Sequence, residues 1–436
     1  MTTGWPPPPR RIAPPAHRHP RWLRALGPGL ITGAADDDPS GIATYSQAGA
    51  KFGYGLLWSL MVSLPLMIAV QEAAARIGAA TGEGLARVTG KVYSRAVLVA
   101  VVQLVFGANV INIAADIAAV AASVRLLLPV GEQVAAVGFV IFVVVLEVYV
   151  GYHLYAKFLK AFAVALLSYV ATAFIVAEPW GELLKATVLP QIEFSTPMLF
   201  MLVAILGTTI SPYMFFWQAA EEVEEIEDAE RDGRASRSLR ELRVDNATGM
   251  LVSQLGAWFM MVTTATVLHG KGVTEIKTAA DAARALEPLV QSFPDAGVYA
   301  KGLFAFGVVG MGLLGVPVLA GSAAYAVSEA FGWREGLNRR PSEAGAFYGV
   351  LVLATSLGLA LTLTGLDPIQ LLIYAAAING IVSVPLIFLI GRIARDPRIM
   401  GSRASGRLSR VMLALTFALV AASVVALFWS LLSPGG

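Results

Sequence analysis

Long runs of apolar residues, separated by short polar segments, recur from one end of the chain to the other. Each run is about 20 residues long, which is the length that a helix needs to cross the hydrocarbon core of a bilayer. The pattern therefore predicts an all-α polytopic membrane protein. We identify eleven spans, at approximately residues 26–47, 55–79, 96–127, 135–151, 157–177, 197–221, 247–269, 299–328, 345–365, 369–391 and 411–432.

The remaining sequence is too short and too polar to form a soluble domain. Of the 436 residues, 56% are hydrophobic and 14% are charged, whereas soluble domains carry about 25% charged residues. Residues 1–24 are rich in proline and arginine and have no apolar core, so we predict a disordered cytoplasmic tail rather than a signal peptide. Residues 25–436 are predicted to form the transmembrane domain. The chain has no cysteine, which excludes disulfides and thiolate chemistry.

Lysine and arginine are distributed unevenly between alternate loops. Cytoplasmic loops of membrane proteins carry an excess of these residues. With the N-terminus placed in the cytoplasm, the inner segments hold 25 of the 32 basic residues. We therefore predict a multi-pass protein of the plasma (inner) membrane, with its N-terminus in the cytoplasm and its C-terminus outside.

Two spans contain helix-breaking residues at matching places. Span 1 carries ADDDPSG at residues 35–41, and span 6 carries LGTTISPYMFFWQ at residues 206–218. Proline removes a backbone donor and disfavours helical geometry in the preceding residue. The breaks lie five spans apart, which predicts two inverted repeats, at approximately residues 25–180 and 195–393, and an extra helix at 411–432. Paired broken helices of this kind are typical of a transporter's substrate site.

The first break carries three adjacent carboxylates, Asp36, Asp37 and Asp38. An ionised aspartate at the bilayer centre costs roughly 2.5–3.5 kcal/mol, so these residues must face water, a partner or a cation. No lysine or arginine lies within the core of a predicted span, which favours a bound cation as the counter-charge. Successive helix residues point about 100° apart, so the three cannot share one site. Asp38, beside Pro39, is the first choice for a cation ligand, and Asp36 and Asp37 are expected to line a vestibule.

The first two spans carry GPGLITGAADDDPSGIATYSQAGAKFGYGLLW at residues 27–58 and QEAAARIGAATGEGLARV at residues 71–88. These segments resemble the first two helices of the Nramp divalent-metal transporters. That family has Asp-Pro-Gly-Asn in its first helix, Met-Pro-His in its sixth, and a similar Ala-Arg-x-Gly-x-x-Thr-Gly at the end of its second. The resemblance covers nearly all of the chain after residue 25. It implies a LeuT-like 5+5 inverted repeat with helices 1 and 6 broken.

The resemblance also implies a set of metal ligands. The family's metal-binding aspartate falls on Asp38, and its asparagine ligand falls on Gly41. In helix 6 the ligand carbonyl falls on Thr208, the thioether methionine on Ser211 and the histidine on Tyr213. The two positions at which this chain lacks the family's side-chain ligand, Gly41 and Ser211, are the informative departures.

Residues that the family uses for proton movement are mostly absent. Helix 3 keeps Asp116 but has Ala119 in place of a glutamate, and helix 9 contains no arginine. The helix-10 polar ligand position falls among Ala375–Ala377, with Asn379 nearby. We assign five residues to a vestibule or relay: Asp36, Asp37, Asp116, Tyr213 and Asn379.

These departures change the metal chemistry that the site is expected to support. A thioether favours softer transition metals over Mg²⁺ and Ca²⁺, and its loss leaves oxygen ligands only. Mg²⁺ dehydrates reluctantly and keeps several waters, so a wider site with hard ligands suits it. The pattern resembles the divergent Nramp-related magnesium transporters. We expect a carrier that imports Mg²⁺, and also Mn²⁺, by alternating access without proton coupling.

Two alternative functions stay open. One is a proton-coupled Nramp-type importer of Mn²⁺ and Fe²⁺ with an altered site, and the other is a LeuT-fold symporter of organic solutes. The expected partners are the lipid bilayer and the divalent cation, with no cofactor, nucleic acid or obligate protein partner. An enzyme is not expected, because the four histidines fall in the tail, loops or helix ends and form no catalytic motif.

Overall fold

The structure is a computed structural model that describes residues 28–150, 167–176, 179–231, 233 and 238–433. This part of the chain is helical, with short 3-10 turns and no strand. The first predicted repeat contains α1 (Pro28–Asp36), α2 (Pro39–Phe52), α3 (Leu57–Thr81), α4 (Leu85–Val92), α5 (Arg95–Leu127), α6 (Glu132–Tyr149) and α7 (Leu167–Ile175), and α8 (Trp180–Val188) lies between the two repeats. The remainder contains α9 (Thr196–Thr209), α10 (Pro212–Arg231), α11 (Leu239–Val267), α12 (Ala279–Ala283), α13 (Glu287–Val290), α14 (Ala296–Phe331), α15 (Gly345–Thr362), α16 (Pro368–Ala394), α17 (Pro397–Met400) and α18 (Arg407–Leu432).

Within the described residues, nine helical segments are long and apolar enough to cross a membrane. They correspond to nine of the eleven predicted spans. Span 1 is not among them because it is split into α1 and α2, of 9 and 14 residues. Span 5 is represented by α7 alone, since residues 151–166 lie outside the described part of the chain. The predicted disordered tail at residues 1–24 also lies outside it.

The break in span 1 arises from a helix cap followed by proline. Asp38 has extended backbone angles, with φ −60° and ψ 172°, and caps α2. Its Oδ1 accepts hydrogen bonds from the Gly41 N–H at 2.9 Å and the Ser40 hydroxyl at 2.6 Å. Pro39 is the first helical residue, where an N–H would have no intrahelical partner. This local chemistry starts a new helix in the middle of the span.

The break in span 6 satisfies its backbone with a serine. α9 ends at Thr209 and α10 begins at Pro212. The Ser211 hydroxyl lies 2.9 Å from the Gly207 carbonyl oxygen and 2.8 Å from that of Thr208, and donates to them. Carbonyl groups at a helix C-terminus lack an intrahelical partner, and a membrane offers them no water. The serine therefore satisfies backbone groups that the break leaves free.

Glycines allow α1 to pack directly on α11. A Cβ on Gly33 would lie 2.3 Å from the carbonyl oxygen of Gly249, and one on Gly29 would lie 2.7 Å from the Cα of Asn246. Neither position accommodates a larger residue without movement of the backbone. The Asp245 carboxylate also accepts a hydrogen bond from the Gly29 N–H at 2.8 Å. These contacts hold the short helix α1 against α11.

The structure corrects the expectation that no basic residue lies inside a span. Arg76 of α3 is buried and pairs with Glu72, one turn earlier, at 3.0 Å. Arg243 of α11, whose side chain is 57% exposed, reaches the same carboxylate at 2.9 Å. Arg76 also donates to the Arg403 carbonyl at 2.8 Å and the Ser405 hydroxyl at 3.0 Å. Its charge is thus neutralised locally, and it ties α3 to the segment before α18.

Arg76→Met should lower thermal stability much more than Arg243→Met. The first change removes the buried partner of Glu72 and the contacts to residues 403–409, and breaking a buried ion pair costs about 3–5 kcal/mol. The second removes a largely solvated partner, and such pairs contribute about 0.2–1 kcal/mol. Thermal unfolding of both purified variants beside the wild type measures the difference. Equal melting temperatures for the two variants would contradict the structural role of Arg76.

Candidate metal centre

The two helix breaks lie side by side. A Cβ on Gly41 would lie 3.2 Å from the carbonyl oxygen of Asp36 and 3.4 Å from Oγ1 of Thr208, so the start of α2 faces the end of α9. The Tyr213 hydroxyl, at the start of α10, donates a hydrogen bond to the Ala35 carbonyl at 3.1 Å. A side chain of the second broken helix therefore satisfies a backbone carbonyl of the first.

Asp38 lies where the two breaks meet. It is 1% exposed, and its Oδ2 accepts a hydrogen bond from the Tyr213 hydroxyl at 3.3 Å. The other donors to its carboxylate, from Ser40 and Gly41, are neutral as well. Among the described residues, Asp38 takes part in no ion pair. A buried carboxylate without an opposite charge is costly, so this position favours a bound cation.

Thr208 and Ser211 bring oxygen atoms from the second broken helix. Both residues are buried. The Ser211 hydroxyl uses its single hydrogen on backbone carbonyls, so its oxygen keeps lone pairs for another partner. The C-terminal end of α9 also carries the negative end of a helix dipole. The four residues assigned to the metal, Asp38, Gly41, Thr208 and Ser211, thus lie together around the two breaks.

Asp116 of α5 joins this group from a third helix. A Cβ on Gly315 of α14 would lie 3.1 Å from the Asp38 Cβ and 3.2 Å from Oδ2 of Asp116, so the two carboxyl groups flank one glycine. Asp116 is fully buried. Its carboxyl interacts with the backbone N–H of Ser40, two residues after Asp38. The residue assigned to a vestibule or relay therefore lies beside the principal candidate ligand.

Asn379 of α16 pairs with another asparagine. Its side-chain amide exchanges two hydrogen bonds with Asn112 of α5, at 2.9 and 3.0 Å. Sequence reasoning did not single out Asn112, whose one signal is an amide in an apolar span. The neighbouring Gly380 packs on α9, since a Cβ on Gly207 would lie 2.3 Å from its nitrogen. The pair therefore links α5 and α16 close to the broken helix.

Asp36 and Asp37 contact α11. The Ser253 hydroxyl donates a hydrogen bond to Oδ2 of Asp36 at 2.7 Å. Oδ2 of Asp37 lies 3.3 Å from the position that a Cβ on Gly256 would occupy. Both aspartates are buried. The sequence assigned them to a vestibule or relay, and neither lines the cavity that reaches the break.

A cavity of about 460 Å³ leads from the predicted outer face towards the first break. Exposed residues Lys277 and Asp367 lie at its mouth, and Pro39 and Ala119 lie on its wall. Pro39 follows Asp38 directly, so an ion entering from this face comes close to the candidate centre. Ala119, where the resemblance places a glutamate, leaves this part of the wall apolar.

Polar contacts join helix ends at the opposite, predicted inner face. Glu329 of α14 accepts hydrogen bonds from the backbone N–H groups of Ala86 at 2.8 Å and Arg87 at 3.1 Å. The Arg87 guanidinium pairs with Glu335 at 2.8 Å. Burial raises the pKa of Glu335 to about 7, against the opposing effect of Arg87. This ion pair should therefore weaken as the pH falls through neutrality.

Comparison with known proteins identifies relatives among metal transporters. The sequence matches the profile of Nramp, described as natural resistance-associated macrophage protein-like, over residues 29–430. The divalent metal cation transporter MntH of Mesorhizobium japonicum is 32% identical over 208 residues, which cover 44% of this chain and 44% of that protein. MntH of Chromohalobacter salexigens is 26% identical over 302 residues, or 66% of this chain and 67% of that one. The alignment thus spans less than half the length of the first relative.

Solved structures share the fold. A manganese transporter of Eremococcus coleocola superposes with a TM-score of 0.73 at 18% identity, covering 96% of this chain and 88% of that one. MhsT, in complex with L-phenylalanine, superposes with a TM-score of 0.62 at 11% identity, covering 92% and 98%. These likenesses concern the fold alone, and they confirm the predicted LeuT-like architecture. Because the family profile extends over nearly the whole sequence, the chain belongs to the Nramp family.

Proposed function

We propose that this chain imports divalent metal cations, Mg²⁺ and also Mn²⁺, by alternating access and without tight proton coupling. The observation that carries the proposal is the buried Asp38 carboxylate, which has only neutral donors and lies where two broken helices meet. A divalent cation supplies the missing opposite charge. The names of the relatives as divalent metal cation transporters support this substrate class.

The helix ends around Asp38 also favour a cation. α1 and α9 both end at the breaks, and a helix C-terminus is equivalent to about half a negative charge. The Tyr213 and Ser211 hydroxyls hold carbonyl groups at these ends in fixed positions. Discontinuous helices use such carbonyls and C-terminal ends to coordinate cations in transporters. The site is therefore organised before an ion arrives.

The proposed ligand atoms are all oxygens, which are hard ligands in the chemical sense. They are the Asp38 carboxylate, the Gly41 carbonyl and the oxygens of Thr208 and Ser211, and such groups suit Mg²⁺ and Mn²⁺. The site is compact beside Gly41, where a Cβ would lie 3.2 Å from the Asp36 carbonyl oxygen and 3.4 Å from Thr208 Oγ1. Mg²⁺ keeps several of its waters when bound. We infer that the waters of a partly hydrated ion lie towards the outer cavity, which reaches Pro39.

The contacts of α1 indicate how the centre would open to each face in turn. The outer cavity already reaches Pro39. Towards the predicted inner face, α1 packs closely on α11 through Gly33 and Gly249. Release on that side requires α1 to separate from α11. The break at Asp38 allows this nine-residue helix to move as a unit.

The membrane potential would drive the ion inward. The excess of basic residues in the predicted inner segments, 25 of 32, supports insertion into the plasma membrane with the N-terminus in the cytoplasm. A single charge gains about 2.3 kcal/mol per 100 mV, so a divalent cation gains about 4.6 kcal/mol. A passive carrier can therefore accumulate the ion without a proton gradient.

The second candidate function is proton-coupled import of Mn²⁺. Asp116 favours it, because this buried carboxyl lies beside Asp38 and forms no ion pair among the described residues. An ionisable residue of this kind inside a membrane is the usual component of a proton relay. Ala119 and Tyr213 weigh against it, since an alanine carries no proton and a phenol has an ordinary pKa of about 10.

Asp38→Asn should abolish metal uptake without unfolding the protein. Asparagine caps a helix as well as aspartate does, so the cap on α2 survives while the negative charge is lost. Uptake of Mg²⁺ and Mn²⁺ into proteoliposomes measures the effect. The matched control is Asp367→Asn, an exposed helix cap at the mouth of the same cavity. Wild-type uptake by folded Asp38→Asn protein would contradict the proposal.

Mg²⁺ should compete with Mn²⁺ for uptake, and Ser211→Met combined with Gly41→Asn should shift the preference towards Mn²⁺ and Cd²⁺. The thioether adds a soft ligand, and the asparagine adds an amide oxygen at the position where the family has a side-chain ligand. Competition between the metals in proteoliposomes measures both effects, with Ser123→Met on the cavity wall as the control. The magnesium assignment is wrong if Mg²⁺ in about tenfold excess leaves Mn²⁺ uptake by the wild type unchanged.

Metal uptake should not acidify the interior of proteoliposomes. The residues around Asp38 that the family uses for proton movement are reduced here to Asp116, and one carboxyl without a path to the inner face does not complete a relay. A pH dye trapped inside the vesicles measures the effect while metal enters. Metal-dependent acidification that disappears in Asp116→Asn would establish the second candidate function instead.

A further inference from the structure

A second pair of buried carboxyl groups lies on the side of the first break that faces α11. Asp36 and Asp37 are 0% and 3% exposed. The Ser253 hydroxyl donates to Oδ2 of Asp36 at 2.7 Å and also interacts with the Asp37 carboxyl. Two carboxyl groups from adjacent residues therefore converge on one hydroxyl of α11.

This cluster has more hydrogen-bond acceptors than donors. A serine hydroxyl has one hydrogen to donate, whereas two carboxylates offer four acceptor oxygens. Oδ1 of Asp36 and Oδ1 of Asp37 have no partner among the described residues. Neither aspartate forms an ion pair within the part of the chain that the structure describes. Protons or a bound cation are required to offset the cost of burying these two carboxyl groups.

This cluster is separate from the candidate metal centre. The Asp38 carboxylate is held by Ser40, Gly41 and Tyr213, none of which contributes a hydrogen bond to Asp36 or Asp37. Asp38 also flanks Gly315 of α14, whereas Ser253 belongs to α11. The broken helix thus presents carboxyl groups to two different neighbouring helices.

We propose that Asp36, Asp37 and Ser253 bind a small monovalent cation, Na⁺, between the end of α1 and the middle of α11. Carboxylate and hydroxyl oxygens are ligands for hard cations, and the C-terminus of α1 adds the negative end of its dipole. All three residues are buried and none lines the outer cavity. An ion bound here is removed from bulk water, and Mg²⁺ gives up its water reluctantly, which is the reason for assigning a monovalent ion.

Occupancy of this site would stabilise the closed inner face. The cation joins carboxyl groups at the end of α1 to Ser253 of α11. Further along the same two helices, Gly33 packs on Gly249. Separation of α1 from α11 would break the cation's coordination. Na⁺ therefore favours the conformation in which the inner face is closed.

The test is direct binding of radioactive Na⁺ to the purified full chain, at constant pH and with choline replacing Na⁺ to hold the ionic strength. Asp38→Asn protein is measured beside the wild type, because it lacks the charge of the candidate metal centre. We expect saturable binding of one Na⁺ per chain in both proteins. Binding in Asp38→Asn would be independent of metal transport, so failure of the proposed function leaves this result unaffected.

Three substitutions in the cluster should weaken the binding of Na⁺. Ser253→Ala removes a ligand oxygen, and Asp36→Asn and Asp37→Asn each remove a negative charge. Each change should weaken binding about tenfold or more, the usual effect of losing a bond to a charged group. Ser383→Ala is the matched control, because Ser383 is also fully buried and its hydroxyl, within the described part of the chain, bonds only the Gly380 carbonyl of its own helix. Its binding should equal that of the wild type. Ser253→Ala removes a single oxygen and is the variant expected to fold even where an aspartate change does not.

Several results would overturn the proposal. Absence of Na⁺ binding in folded wild-type protein would show that protons alone neutralise the two carboxyl groups. Unchanged binding in Ser253→Ala would place the ion elsewhere. Displacement of Na⁺ by Mg²⁺ in Asp38→Asn would show that the site takes a divalent cation.

Discussion

Backbone groups freed in the middle of a membrane-spanning helix must be satisfied inside the protein, because lipid offers no hydrogen bonds. Two breaks impose this requirement here, and the molecule meets it with side chains at the breaks themselves. Asp38 caps α2, Ser211 bonds the end of α9, and the Tyr213 hydroxyl reaches the end of α1. The side chains that satisfy the free backbone groups therefore also define the geometry of the candidate centre.

This solution concentrates negative charge. Two helices end at the breaks, and Asp36, Asp37, Asp38 and Asp116 are buried around them. The buried guanidinium of Arg76 is bound to Glu72 in an ion pair of its own. An excess of carboxyl groups over cations inside a membrane is stable only with protons or bound cations. The chemistry of ion binding thus follows from the way in which the helices are interrupted.

Packing determines which face is open. Glycines at 29 and 33 bring α1 against the backbone of α11, where any side chain would collide. On the other side of the break, a cavity extends to Pro39. Separation of α1 from α11 would therefore make the site accessible from the other face. Asp36 and Asp37 contact α11 beside the same interface.

Features that depend on local chain chemistry could be predicted from the residues alone: the membrane spans, the interruption at Asp38 and Pro39, and the matching interruption at Pro212. Asp38 and Asp116 could also be identified in this way, because a carboxylate within an apolar span is conspicuous wherever it points. The helix that each side chain faces became visible in the folded chain. The pairing of Asn112 with Asn379, the approach of Asp36 to Ser253 and the binding of residues 403–405 by Arg76 join positions far apart in the chain. Such contacts depend on the rotation of each helix about its axis, which is set by close packing between helices and leaves no signal in the hydrophobic pattern.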